Sequence, residues 1–174
     1  MKKKNAKTIL SAFGTLAAFA LWTFLIRCVD VQPIGPNGSR VGFAAINGAF
    51  HALTGVHWAL YTLTDWLGLV PIGIALGFAV LGLVQLIRRK SLLKVDRDIL
   101  ILGGFYIVVL AAYLLFETVV INFRPVLIDG KLEASYPSST TMLALCILPT
   151  AMMQLKTRIR GDAVRRAILG ILAA

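Results

Sequence analysis

Four stretches of this chain run for 18 to 22 residues without a charged side chain: Thr8 to Ile26, Trp66 to Ile87, Ile99 to Phe116 and Ser138 to Leu155. Crossing about 30 Å of hydrocarbon takes about 20 apolar residues as a helix. Inside lipid a segment must also satisfy its own backbone N–H and C=O groups. Runs of this length therefore predict an all-α, polytopic transmembrane helix bundle, with residues 1–174 forming a single integral membrane domain. Pro149 lies inside the fourth run, where neighbouring helices can re-satisfy the carbonyl it frees. Composition agrees, since 58% of residues are hydrophobic and only 15% charged. A soluble domain is about half apolar and a quarter charged.

The charge pattern orients these spans. The formal net charge is +10, and a basic balance often signals nucleic acid. Here the bases cluster at the ends of apolar runs instead. Lys2, Lys3, Lys4 and Lys7 precede the first run. Arg88, Arg89, Lys90, Lys94 and Arg97 separate the second from the third. Lys156, Arg158, Arg160, Arg165 and Arg166 follow the fourth. Together these are fourteen of the 18 Lys and Arg residues; Arg27, Arg40, Arg124 and Lys131 complete the set. Alternating the loops puts all three clusters on one side, which the positive-inside rule makes the cytoplasm. The expectation is a multi-pass protein of the cell membrane with its N-terminus cytoplasmic. Its partner is the lipid bilayer, not nucleic acid. The first run is longer than a signal-peptide core and no small-x-small cleavage site follows it, so it reads as an uncleaved anchor. Cys28 and Cys146 form no metal-spaced or disulfide framework.

The uncharged stretch Val41 to Thr64 would reverse this topology if it spanned. Its pattern argues otherwise. Phe43, Ile46, Phe50, Leu53, Leu60 and Leu67 recur mostly at helical spacing, with Asn47, His51, Thr54 and Asp65 on another face. That predicts a helix lying at the outer interface, with Trp58, Tyr61 and Trp66 at headgroup level. Pro33, Gly35, Pro36 and Gly38 make Gln32 to Ser39 a turn-rich connection before it. Gly73 and Gly77 form a GxxxG pair, and Gly103 and Gly104 open the third run; small residues let membrane helices approach closely. Ala167 to Ala174 reads as the start of a fifth helix. The expected inventory is about four full spans, one interfacial helix and an incomplete fifth span, C-terminally incomplete or completed by another subunit.

The outer loop, Asn122 to Thr141, carries the suggestive chemistry. Arg124 precedes Pro125, and a planar guanidinium offers a fork of donors to phosphate. Pro137 followed by Ser138, Ser139, Thr140 and Thr141 signals a helix start, whose exposed N–H groups and hydroxyls can hold an anion. The alternative is plain: a snorkelling base before a turn, and serines that only cap a helix.

Phe123-Arg124-Pro125 followed by Tyr136-Pro137-Ser138-Ser139-Thr140 resembles the type-2 phosphatidic acid phosphatase superfamily, membrane enzymes that dephosphorylate lipid phosphates and diphosphates. Its motifs run Lys-x6-Arg-Pro, then Pro-Ser-Gly-His, then Ser-Arg-x5-His-x3-Asp. The resemblance covers most of Trp66 to Leu155. It implies a six-helix membrane bundle with its site at the outer face, and phosphate contacts at Arg124, Ser138, Ser139 and Thr140. It implies no metal and no cofactor, because a His takes the phosphoryl group covalently. The departures are specific. Glu117 stands where the first motif has Lys, Ser139 replaces Gly, and Thr140 replaces the His that serves as an acid. The third motif, with its nucleophile, is not present, so the catalytic residue is unknown.

His57 and Asp65 do not substitute for that motif, because they are eight apart instead of four; His51 and His57 read as polar residues of the interfacial helix. Glu117 could pair with Arg124 two turns on if the third helix continued that far. Two functions stand side by side: a phosphatase-like protein acting on lipid phosphates at the extracytoplasmic face, or an inactive relative that binds anionic lipid or a partner protein. A small transporter would need broken helices and buried polar residues at mid-membrane, and none of the four runs shows paired charges there.

Overall fold

The computed structural model describes residues 2–128, 130–159 and 161–173. Arg160, Ala174 and the side chains of Lys2, Lys3 and Lys4, all named above, lie outside the described residues. Among those described, the elements are α1 (Lys2–Cys28), α2 (Ala44–Thr54), α3 (Trp58–Arg89), α4 (Arg97–Thr118), β1 (Asn122–Phe123), β2 (Ala134–Tyr136), α5 (Ser139–Arg158) and α6 (Asp162–Ala173). They fall into two compact units, one of residues 1–56 and 119–137, the other of residues 57–118 and 138–174.

Among the described residues, three helices are long and apolar enough to cross a membrane: α1 over Asn5–Cys28, α3 over Trp58–Arg89, and α4 over Arg97–Thr118. Their most apolar windows are only 6%, 6% and 17% buried, so their apolar side chains face outward, as lipid-facing ones do. The fourth expected span, α5, is 20 residues long. Ser139, Thr140, Thr141, Thr150, Gln154 and Lys156 dilute it below the apolar density of the other three.

In the first unit, the chain leaving α1 doubles back on itself. Gln32 and Val41 exchange backbone hydrogen bonds of 3.1 and 2.9 Å, closing the expected turn-rich segment into a loop around a 3-10 turn at Pro36–Gly38. Val41 is completely buried. Gly42 presses against α1, where a Cβ would lie 1.9 Å from the Ile26 carbonyl oxygen. Phe43 stacks on Trp22 at 5.6 Å. Asp30 then starts α2: its carbonyl accepts from the Ala44 N–H at 2.9 Å and its carboxylate from the Ala45 N–H at 2.6 Å. A carboxylate is well placed there, where backbone donors lack helical acceptors.

The helix expected at the interface, α2, is shorter than the pattern predicts. It stops at Thr54, where Gly55 adopts φ 66°, a conformation that glycine reaches without Cβ strain. Ile46, Phe50 and Leu53 form one exposed stripe on α2, while Asn47 turns back to donate to the Gly42 carbonyl at 2.7 Å. Trp58, Tyr61 and Trp66 belong instead to α3, which begins eight residues before the expected Trp66. The all-α expectation also needs amending, because β1 and β2 pair as a short antiparallel ribbon with Asn122 opposite Tyr136.

In the second unit, α5 packs against both α3 and α4. Phe78, Val95, Ile99, Leu102 and Ala151 form one buried cluster, and Val109, Leu143 and Ile147 a second. The glycines that matter for close approach are not the expected ones. A Cβ on Gly68 would lie 2.9 Å from the Thr140 methyl, and one on Gly82 3.1 Å from Ile99. Gly73 and Gly77 have nothing within 4 Å. An apolar groove of about 720 Å³ runs between α3 and α4, lined in part by Ala75, Ala79, Gly82, Gly103 and Gly104.

The basic end of this unit is tied together by a residue that charge counting passes over. Asp96 accepts from Arg89 Nη1 at 2.9 Å, from Gln85 Nε2 at 2.9 Å and from Arg158 Nη1 at 3.3 Å. Its own N–H donates to Gln85 Oε1 at 2.9 Å. One carboxylate thus joins the ends of α3, α4 and α5. Hydrogen bonds from Arg89 and Gln85 hold its pKa below the ordinary 3.8. A lowered folded-state pKa means that the clamp stabilises fully above the unfolded value and is lost as pH falls below about 3.8, through the folded pKa. Asp96→Asn should therefore lower the thermal midpoint at neutral pH. It should also flatten the midpoint's fall below pH 4 relative to wild type, as read by circular dichroism in detergent. Equal acid slopes in the two proteins would rule the clamp out.

Candidate functional site

Arg124 sits just past β1, on the ribbon of the first unit. Its N–H donates to the Glu133 carbonyl at 2.9 Å, and its Nε lies 3.4 Å from Glu133 Oε2. Both side chains are partly exposed, at 38% and 35%. Such a partly exposed pair contributes about 0–1 kcal/mol, so Glu133 holds the guanidinium only weakly. The ribbon beneath is polar and well tied. Asn122 Oδ1 accepts from the Gly42 N–H at 2.8 Å, and Asn122 Nδ2 donates to Ser135 Oγ at 2.9 Å. Tyr136 is held by a 3.3 Å hydrogen bond with Thr23 and stacks on Phe19 at 6.1 Å.

Glu133, nine residues after Arg124, is the partner that sequence reasoning missed. The alternative, Glu117, needed α4 to continue, but α4 ends at Thr118 and the two-turn spacing is never built. Glu117 is exposed near the end of α4. Hairpin pairing was the missed signal: Gly130, at φ 73°, marks the reversal that brings Glu133 back alongside Arg124.

The hydroxyl residues belong to the second unit. Ser138 is the N-cap of α5, and its Oγ accepts from the Thr141 N–H at 3.3 Å and donates to Thr141 Oγ1 at 3.0 Å. The capping role therefore falls on Ser138. Ser139 and Thr140 open the helix, where backbone N–H groups have no intrahelical acceptor. Ser139 is half-buried and Thr140 exposed. Thr140 packs against α3 at Gly68, whose missing side chain leaves room for the Thr140 methyl. Such a start offers backbone donors, a hydroxyl and the positive end of the helix dipole to an anion. It offers no group that titrates near neutrality.

His57 is the exposed N-cap of α3, and His51 lies exposed on α2. Asp65 is two turns into α3. Among the described residues no group of three or more His, Cys, Asp and Glu gathers in a way that could hold a metal ion. Comparison with protein-family models, with curated proteins and with solved structures found no match to this chain.

Proposed function

We propose that the chain is a multi-pass membrane protein of phosphatase type that recognises the phosphate of a lipid at the extracytoplasmic face. α1, α3 and α4 span the bilayer, α5 adds a fourth span, and α2 lies at the outer interface. The basic end of the second unit is cytoplasmic, and so is the N-terminus. The observation that carries this reading is the polarity of α5. Its last turn holds Arg158, which joins the basic clamp at Asp96. Its N-cap Ser138 and first residues Ser139 and Thr140 lie at the opposite end. The motif correspondence assigns phosphate contacts to those three residues and to Arg124.

A second reading is favoured by Thr140 and Glu117, which stand where the resembled enzymes have His and Lys. In that reading the protein binds lipid phosphate without hydrolysing it. Purified protein assayed for phosphate release on a panel of lipid phosphates and diphosphates separates the two. The enzyme reading expects turnover that Arg124→Ala lowers by about a hundredfold, the typical loss for one donor to a developing oxyanion. Saturable lipid-phosphate binding without release supports the second reading. Neither binding nor release, in protein with intact helicity, sinks both.

A further inference from the structure

We infer that the turn between α3 and α4 is a binding site for anionic phospholipid in the leaflet on the basic side. The inference rests on the membrane placement proposed above, but not on the phosphatase chemistry. Arg88, Arg89, Lys90, Lys94 and Arg97 are all exposed. Arg89 is committed to Asp96. Among the described residues no carboxylate lies within ion-pair distance of Arg88, Lys90, Lys94 or Arg97. Four cations are thus concentrated within ten residues, none of them ion-paired among the described residues.

The second observation is apolar. Leu92 is 59% exposed and Leu93 93% exposed, on the 3-10 turn Leu92–Lys94. The turn is anchored on both sides. Lys90 closes α3 in the left-handed region, with its N–H donating to Leu86 O at 2.8 Å. Val95 is buried in the core cluster, and Asp96 is fixed by its clamp. The leucines are therefore held outward by their neighbours.

Two leucines ringed by unanswered bases, at the ends of two helices long and apolar enough to cross a membrane, suit the boundary between acyl chains and headgroups. The leucines enter the acyl region and the bases meet the phosphates. The chemistry selects a lipid of net negative charge over a zwitterionic one. It asks for no particular headgroup beyond that.

The test is native mass spectrometry of the whole chain in neutral detergent, titrated with phosphatidylglycerol or with phosphatidylcholine of the same acyl chains. Wild type should retain phosphatidylglycerol in preference. Replacing the four free bases together, Arg88→Gln, Lys90→Gln, Lys94→Gln and Arg97→Gln, should weaken phosphatidylglycerol retention at least about tenfold. The charge-conserving swaps Arg88→Lys, Lys90→Arg, Lys94→Arg and Arg97→Lys should keep it. Leu92→Ser with Leu93→Ser should weaken retention of both lipids while leaving the preference. Equal retention of the two lipids by wild type overturns the proposal. So does unchanged affinity in the quadruple glutamine variant. Arg124→Ala should leave the preference intact, so a failed phosphatase assay and a failed lipid site are distinguishable.

Discussion

Gly42→Ala should disrupt the first unit, although the change adds a single methyl group. The new Cβ would lie 1.9 Å from the Ile26 carbonyl oxygen and 2.9 Å from the carbonyl carbon. Both atoms are backbone, and no rotamer relieves the contact. Either α1 or the Val41–Phe43 segment must move. That would break the hydrogen bond from the Gly42 N–H to Asn122 and part the Trp22–Phe43 stack. Overpacking of this kind costs typically about 1–3 kcal/mol, and a backbone obstruction belongs at the upper end. Protease cleavage between residues 29 and 43 should accelerate, and the near-ultraviolet signal should fall. Gly48→Ala is the control. It sits inside α2 with nothing within 4 Å, and replacing a mid-helix glycine by alanine should stabilise by about 0.5–1 kcal/mol. Comparable losses in the two variants would show that the Ile26 contact is not what matters.

Ala151→Leu should be the most damaging single change in the second unit. Ala151 is 0% exposed and packs with Phe78, Val95, Ile99 and Leu102, which brings side chains of α3 and α4 against α5. In lipid the hydrophobic driving force between helices is absent, and close van der Waals packing carries association. A leucine there pushes three helices apart, at about 1–3 kcal/mol or more. Gly77→Leu, on the same bundle but with nothing within 4 Å of its Cβ position, should be tolerated. Unfolding of both in mixed micelles reads the difference directly. A larger loss in Gly77→Leu than in Ala151→Leu would reverse the packing assignment.

The helices were legible because uninterrupted apolar length is a local property. The uncharged runs at Ile99 to Phe116 and Ser138 to Leu155 reappear as α4 and α5, lengthened at the ends where charged residues such as Arg97 and Arg158 continue the helix. The same criterion misplaces the start of α3, because it stops at Asp65 and one exposed acid does not break a helix. What stayed hidden was non-local. Asp30 reaches fifteen residues on to start α2, and Arg158 reaches back across 62 residues to Asp96. Arg124 finds Glu133 only because the loop folds as a ribbon. At the candidate site the residue types were readable, and so was the cap at Ser138. Nothing local revealed which glycine would make room for Thr140.

The length of α3 has a consequence of its own. Its 32 residues make a rod about 48 Å long, whereas the 22 residues of α4 reach only about 33 Å. A bilayer is about 30 Å thick in its hydrocarbon and 40–45 Å with headgroups. The Trp58–Tyr61 pair at one end of α3 and Arg88 with Arg89 at the other are the residue types that anchor to opposite headgroup layers. In the placement proposed above, a helix longer than the bilayer with its headgroups must tilt, and by more in a thinner membrane, while its shorter neighbour stands closer to upright. In that placement the crossing angle of α3 and α4, and with it the width of the groove between them, varies with bilayer thickness.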